Sequence, residues 1–128
     1  MGCDTFAVGD LTAVIGDNEA HGSQHRAGYN GVFSLTSRHE DDPLFVPAYS
    51  GLNLEHVFDG AAFDRDVIFE PRVAPMSFER VDATTARLHQ PPTPHFRLES
   101  TTTFTLREPH YIDMAFECVA HEDVYAHG

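Results

Sequence analysis

The strongest chemical signal lies in the second half of the chain, where His95, Arg97 and Glu99 stand two residues apart. On an extended strand, alternate residues share a face and sit about 7 Å apart. An imidazole, a guanidinium and a carboxylate presented in this way can orient a polyol or a carboxylate and shuttle a proton. These three are the candidate catalytic residues. Pro91, Pro92 and Pro94 come immediately before them, and their fixed backbone lowers the entropy of placing His95. Because sheet twist makes one face concave and ligand sites favour concave surfaces, the trio is expected to converge with His56. A buried guanidinium without a partner is costly, so Glu99, Glu70 or Asp59 is expected within reach of Arg97. The competing reading is a solvated strand face, since Thr101, Thr103 and Thr105 continue the same side.

A second group falls in Gly51-Leu-Asn-Leu-Glu-His-Val-Phe-Asp-Gly60. Asn53, His56 and Asp59, with Glu55 beside them, are candidate substrate-binding residues, and Glu70 and Arg72 join them. On a strand His56 and Asp59 would face opposite sides, so they can share a ligand only across a turn. Histidine and carboxylate suit zinc or manganese, but the spacing matches no dedicated metal motif, and no metal or other cofactor is assigned. Glu70 and Arg72 bracket Pro71, and a local ion pair is the simpler account of them. His110 and Asp113 are again three apart. His110 shares its face with Ile112 and Met114 and reads as a half-buried histidine.

The wider chain bounds these possibilities. It has 128 residues, eight arginines, no lysine and a formal net charge of −12. Such a surface repels phosphate backbones and anionic lipids, which argues against nucleic-acid and membrane partners. Without lysine no side-chain Schiff base can form. Forty-one per cent of residues are hydrophobic, enough for one packed domain that buries about two-thirds of its unfolded surface. Cys3 and Cys118 are the two cysteines. They make no C-x-x-C pair, which excludes a cysteine zinc site, and Cys118 reads as a buried free thiol. No apolar run approaches the roughly 18 residues of a membrane span. The first residues lack a basic region and apolar core of a signal peptide, so the expected location is the cytoplasm. There is no G-x-S-x-G, P-loop, G-x-G-x-x-G or H-E-x-x-H.

The elements that must position these residues are strands. From Phe96 to Leu106 apolar and polar residues alternate, with a threonine run that suits strands. After Glu108-Pro109 the alternation resumes from His110 to Val119, so the two runs read as an antiparallel hairpin. Residues 76–81 and 84–89 read as a second hairpin. Leu11–Ile15 and Tyr29–Leu35 read as strands, Val67–Phe69 as a strand stopped near Pro71, and Leu44–Val46 as at most an edge strand. Residues 1–9 read as a loose lead-in, and 49–63 fit alternation or a single helical turn equally well. No window carries a long helix. The prediction is one mainly β domain over residues 1–128, an antiparallel β-sandwich. Ten-residue strands belong to large sandwiches. The last strand runs towards the chain end, which points to an incomplete part of a larger sandwich or to homo-oligomer pairing at an open sheet edge.

Three stretches together carry a resemblance: Gly28-Tyr-Asn-Gly31, Tyr49-Ser-Gly-Leu-Asn-Leu-Glu-His-Val-Phe-Asp-Gly60, and Pro91-Pro-Thr-Pro-His-Phe-Arg-Leu-Glu-Ser100 running into Glu108-Pro-His-Tyr-Ile-Asp113. They resemble the N-terminal part of uncharacterised bacterial proteins of the galactose mutarotase-like β-supersandwich type, over about residues 10–120. The resemblance implies a carbohydrate ligand and a longer full-length chain. The catalytic His and Glu motifs of the mutarotases have no match here, so no catalytic role carries over from that family. Two functions follow: a protein that binds or processes a carbohydrate or other polar small molecule, or a non-catalytic structural or interaction domain.

Overall fold

A computed structural model describes residues 2–19, 25–46, 49–58 and 65–124. Among them, seven strands form two antiparallel sheets. The first holds β1 (Cys3–Val8), β2 (Leu11–Gly16) and β3 (Gly31–Ser37) in that order; the second holds β4 (Ser77–Arg80), β5 (Thr85–Gln90), β6 (Leu98–Arg107) and β7 (Tyr111–Ala120). Two single helical turns, α1 (Arg65–Ile68) and α2 (Glu70–Val73), lie between the sheets in sequence. The molecule is mainly β, as alternation in the sequence indicated. No described helix is long and apolar enough to cross a membrane.

Period two decides what each strand buries. Leu11, Ala13 and Ile15 of β2 meet Ala86 and Leu88 of β5 and Phe104 and Leu106 of β6 in one cluster, with Phe6, Val32 and Leu35. The filling is apolar at one end of the second sheet. Toward the other end the inward positions of β5 and β6 become Gln90, Ser100 and Thr102, all buried. This is where α2 lies. Buried amides require partners, and Asn18 and Gln90 both find them there: each donates to the carbonyls of Pro71 and Ala74, at 2.8–2.9 Å from Asn18 and 3.1–3.2 Å from Gln90. Both sheets are therefore tied to one helical turn.

Three readings of the sequence are corrected and one is narrowed. Residues 3–8 are not a lead-in but β1, paired through Val8↔Leu11 across a two-residue turn. Gly9 makes that turn possible. Its φ is +58°, and a Cβ there would collide with the carbonyl of Pro109, which accepts the Asp10 N–H at 2.7 Å. Leu44–Val46 forms no strand. Val67 and Ile68 lie in α1 and Phe69 in the turn after it, rather than on a strand, and Pro71 sits in the first turn of α2, where its fixed φ starts a helix and its missing N–H costs nothing. Finally, β6 begins at Leu98, two residues later than the alternation suggests, because Arg97 has φ +54°.

The uncertain segment 49–58 contains no helix or named strand. Gly51 pairs with Val32 of β3 through two backbone bonds of 2.9 and 3.0 Å. The Asn30 side chain then holds Leu54 by both backbone groups, and the Val57 N–H reaches Ile68 at 2.8 Å.

Candidate functional site

The Gly51–Val32 bridge lays Tyr49 beside Tyr29, twenty residues away in sequence. Their rings meet edge to face at 5.2 Å. Arg26 donates to the Tyr49 hydroxyl at 3.2 Å, and its guanidinium stands 5.5 and 5.6 Å from the two ring centres. Arg72 lies 4.9 Å from the Tyr29 ring and 5.3 Å from Phe69, with Glu55 at 3.7 Å. Gly28 passes close to this guanidinium: a Cβ would approach Arg72 Nε to 3.2 Å. His56 meets the edge of Phe69 at 6.1 Å. Guanidinium groups over aromatic faces attract the ring quadrupole and hold both partners in place.

Tyr49 also walls an open cleft of about 510 Å³, lined with Leu44, Phe45, Val46, Ser50 and Gly51. Tyr49 is 43% exposed. Asn53 donates to the Ser50 carbonyl and lies 3.3 Å from the Ser50 hydroxyl, bracing the cleft floor. A half-open aromatic ring, apolar walls and a guanidinium at the tyrosine hydroxyl suit a ligand with apolar faces and polar edges. Among the described residues no carboxylate forms an ion pair with Arg26; its contacts there are the Tyr49 hydroxyl and the two rings.

The structure brings together part of the predicted binding set. His56 and Arg72 flank Phe69, and Asn53 supports the cleft. Asp59 lies outside the described residues. Glu70 does not pair with Arg72. Its buried carboxylate accepts the backbone N–H groups of His95, at 2.5 Å, and Phe96, at 3.1 Å.

His95, Arg97 and Glu99 do not share a strand face. Residues 93–97 form a turn closed by the Arg97 N–H to the Thr93 carbonyl at 2.9 Å. The His95 ring is exposed and stands edge-on to Phe96. Arg97 pairs with Glu122 at 3.7 Å, rather than with Glu99 or Glu70. No hydrogen bond, ion pair or ring contact joins any of the three to His56 among the described residues.

Glu99 has different partners. One carboxylate oxygen meets His89 Nε2 and the other meets His121 Nε2, each at 2.8 Å. These histidines were not singled out from the sequence, yet the register explains them. His89 lies opposite Thr101, and Glu99 opposite Val119, while the His121 N–H bonds the Arg97 carbonyl. Both histidines are thus diagonal neighbours of Glu99, within reach of long side chains. The bonds from His89, then His121, hold the Glu99 carboxyl below its ordinary range. A carboxylate depressed in the folded state contributes stability above its unfolded pKa and loses it as pH falls through the folded value. Unfolding curves of the Glu99→Gln variant are therefore expected to lack part of the wild-type loss of stability below about pH 4.5, the ordinary glutamate range. An unchanged acid limb would contradict this account.

His110 is exposed in the β6–β7 turn, not half-buried, and Asp113 pairs with Arg107 instead. Cys118 is exposed, not buried, because no described residue covers it; Cys3 is also a free thiol. Burial, then the nearby Asp17 and Asp4, push the Cys3 thiol up.

Comparison of this chain with protein-family models, curated proteins and solved structures returns no match.

Proposed function

We propose that this protein is a carbohydrate-binding β-sandwich whose ligand lies in the cleft beside Tyr49. The observation that carries the reading is the half-exposed Tyr49 ring, fixed between Tyr29 and Arg26 at the edge of an apolar cleft. Sugars present C–H faces that stack on aromatic rings and hydroxyl edges that accept from guanidinium groups, and a site of this kind joins apolar walls to a few placed polar groups. The resemblance of Tyr49–Gly60 to galactose mutarotase-like proteins points the same way. Binding is favoured over processing because His95, Arg97 and Glu99 are drawn to separate partners. The test is a glycan array with wild type and Tyr49→Ala. Retention of a defined glycan class by wild type, weakened at least tenfold in the variant, is expected. No retention by folded wild-type protein would favour a domain with a structural role.

A further inference from the structure

Among the described residues, the outer edge of β7 is the longest unpartnered sheet edge. β7 has ten residues and pairs only with β6, in unbroken register from Tyr111↔Arg107 to Ala120↔Leu98. The other edges are shorter or covered: β4 has four residues and β1 six, while β3 carries the Gly51 bridge. Native edges are blunted with charged side chains, lysine above all, or with proline, bulges or a covering element. Among the described residues β7 has no lysine, proline, bulge or covering element, and its charges are limited to Asp113 and Glu117. Its core-facing side also overhangs the smaller sheet. Met114 and Phe116 lie opposite the buried Phe104 and Thr102, yet are 38% and 43% exposed.

We propose that β7 pairs antiparallel with β7 of a second copy of this chain, joining two four-stranded sheets into one of eight. The argument for a second copy is the self-complementarity of the strand. A two-fold axis perpendicular to the sheet keeps core faces on one side, so even positions meet even positions. Centring it on Ala115 would set Asp113 directly opposite Glu117, and like charges so placed repel. Centring it on Phe116 removes that conflict and pairs all residues from 112 to 120. Asp113 then faces Val119 of the other copy, Ala115 faces Glu117, Met114 faces Cys118, and the two Phe116 rings meet at the axis. Asp113 is already paired with Arg107 of its own chain. The apolar overhangs of both copies become one continuous strip around the axis. Because each copy carries a net charge of −12, raising salt should tighten the pair.

Sedimentation equilibrium of the whole chain across concentration and salt tests this. The expected mass is twice that of one chain, with dissociation reduced at higher salt. Phe116→Arg sets two guanidinium groups against each other at the axis and should give a folded protein of single-chain mass. In a Cys3→Ser background, Met114→Cys should form disulfide-linked dimers with Cys118 of the other copy under mild oxidant. Within one chain these positions are four residues, about 13 Å, apart and cannot join. Single-chain mass for wild type at all concentrations, a folded Phe116→Arg that remains dimeric, or no cross-linking through Met114→Cys would each overturn the proposal.

Discussion

Replacing Glu70 with alanine lowers the unfolding free energy by about 3 kcal/mol, because two backbone donors lose their carboxylate acceptor. Each buried orphan donor costs about 1–3 kcal/mol. Glu70 is 7% exposed and bonds His95 and Phe96. The carboxylate bonds the turn that leads into β6, while Asn18 and Gln90 bond the carbonyls of the same helical segment. The substitution therefore loosens a joint shared by both sheets. Glu70→Gln is expected to recover only part of the loss, since an amide offers one acceptor and turns its own donors toward the second N–H. Urea unfolding checks this as a lower midpoint at unchanged slope. A loss under about 0.5 kcal/mol for the alanine variant, the range of an ordinary surface change, would contradict the assigned role.

Phe104→Ala is expected to cost more, about 4 kcal/mol, in the usual range for removing a buried aromatic ring. Phe104 is fully buried on β6 and lies opposite the small Ala86 of β5. The ring fills the space that Ala86 leaves, and the residue directly opposite is too small to close the cavity. Total stability of a domain is about 5–15 kcal/mol, so the variant should be marginal at 37 °C. Phe58→Ala provides the contrast. Phe58 is 48% exposed, and its loss should change stability by under about 1 kcal/mol. Equal effects at the two positions would contradict the placement of the core.

These two phenylalanines also show what the sequence could reveal. Phe104 sits in an unbroken two-residue period, and period two is a local property. β6, β7 and the β4–β5 hairpin could therefore be read directly. β1 was hidden because Phe6 is its only buried residue among exposed or half-exposed neighbours. α2 was hidden because Pro71 both stops a strand and starts a helix, and only the surroundings choose between them. The site was less legible for a different reason. Glu99 meets His89 and His121 through the register of two strand pairs, and Tyr29 meets Tyr49 through one backbone bridge. Alternation identifies which face a side chain occupies but not which chain segment lies beside it. His56 and Arg72, read as candidate binding residues, come together beside Phe69, while the Glu70 carboxylate holds the backbone of His95 and Phe96.

The most direct measurement of the central claim is a backbone amide chemical-shift titration with the glycan retained most strongly on an array. The account predicts saturable shifts centred on residues 26–29 and 44–53, lost in Tyr49→Ala and weakened in Arg26→Ala. Shifts centred instead on His89, Glu99 and His121, or no saturable shifts at millimolar glycan, would contradict it.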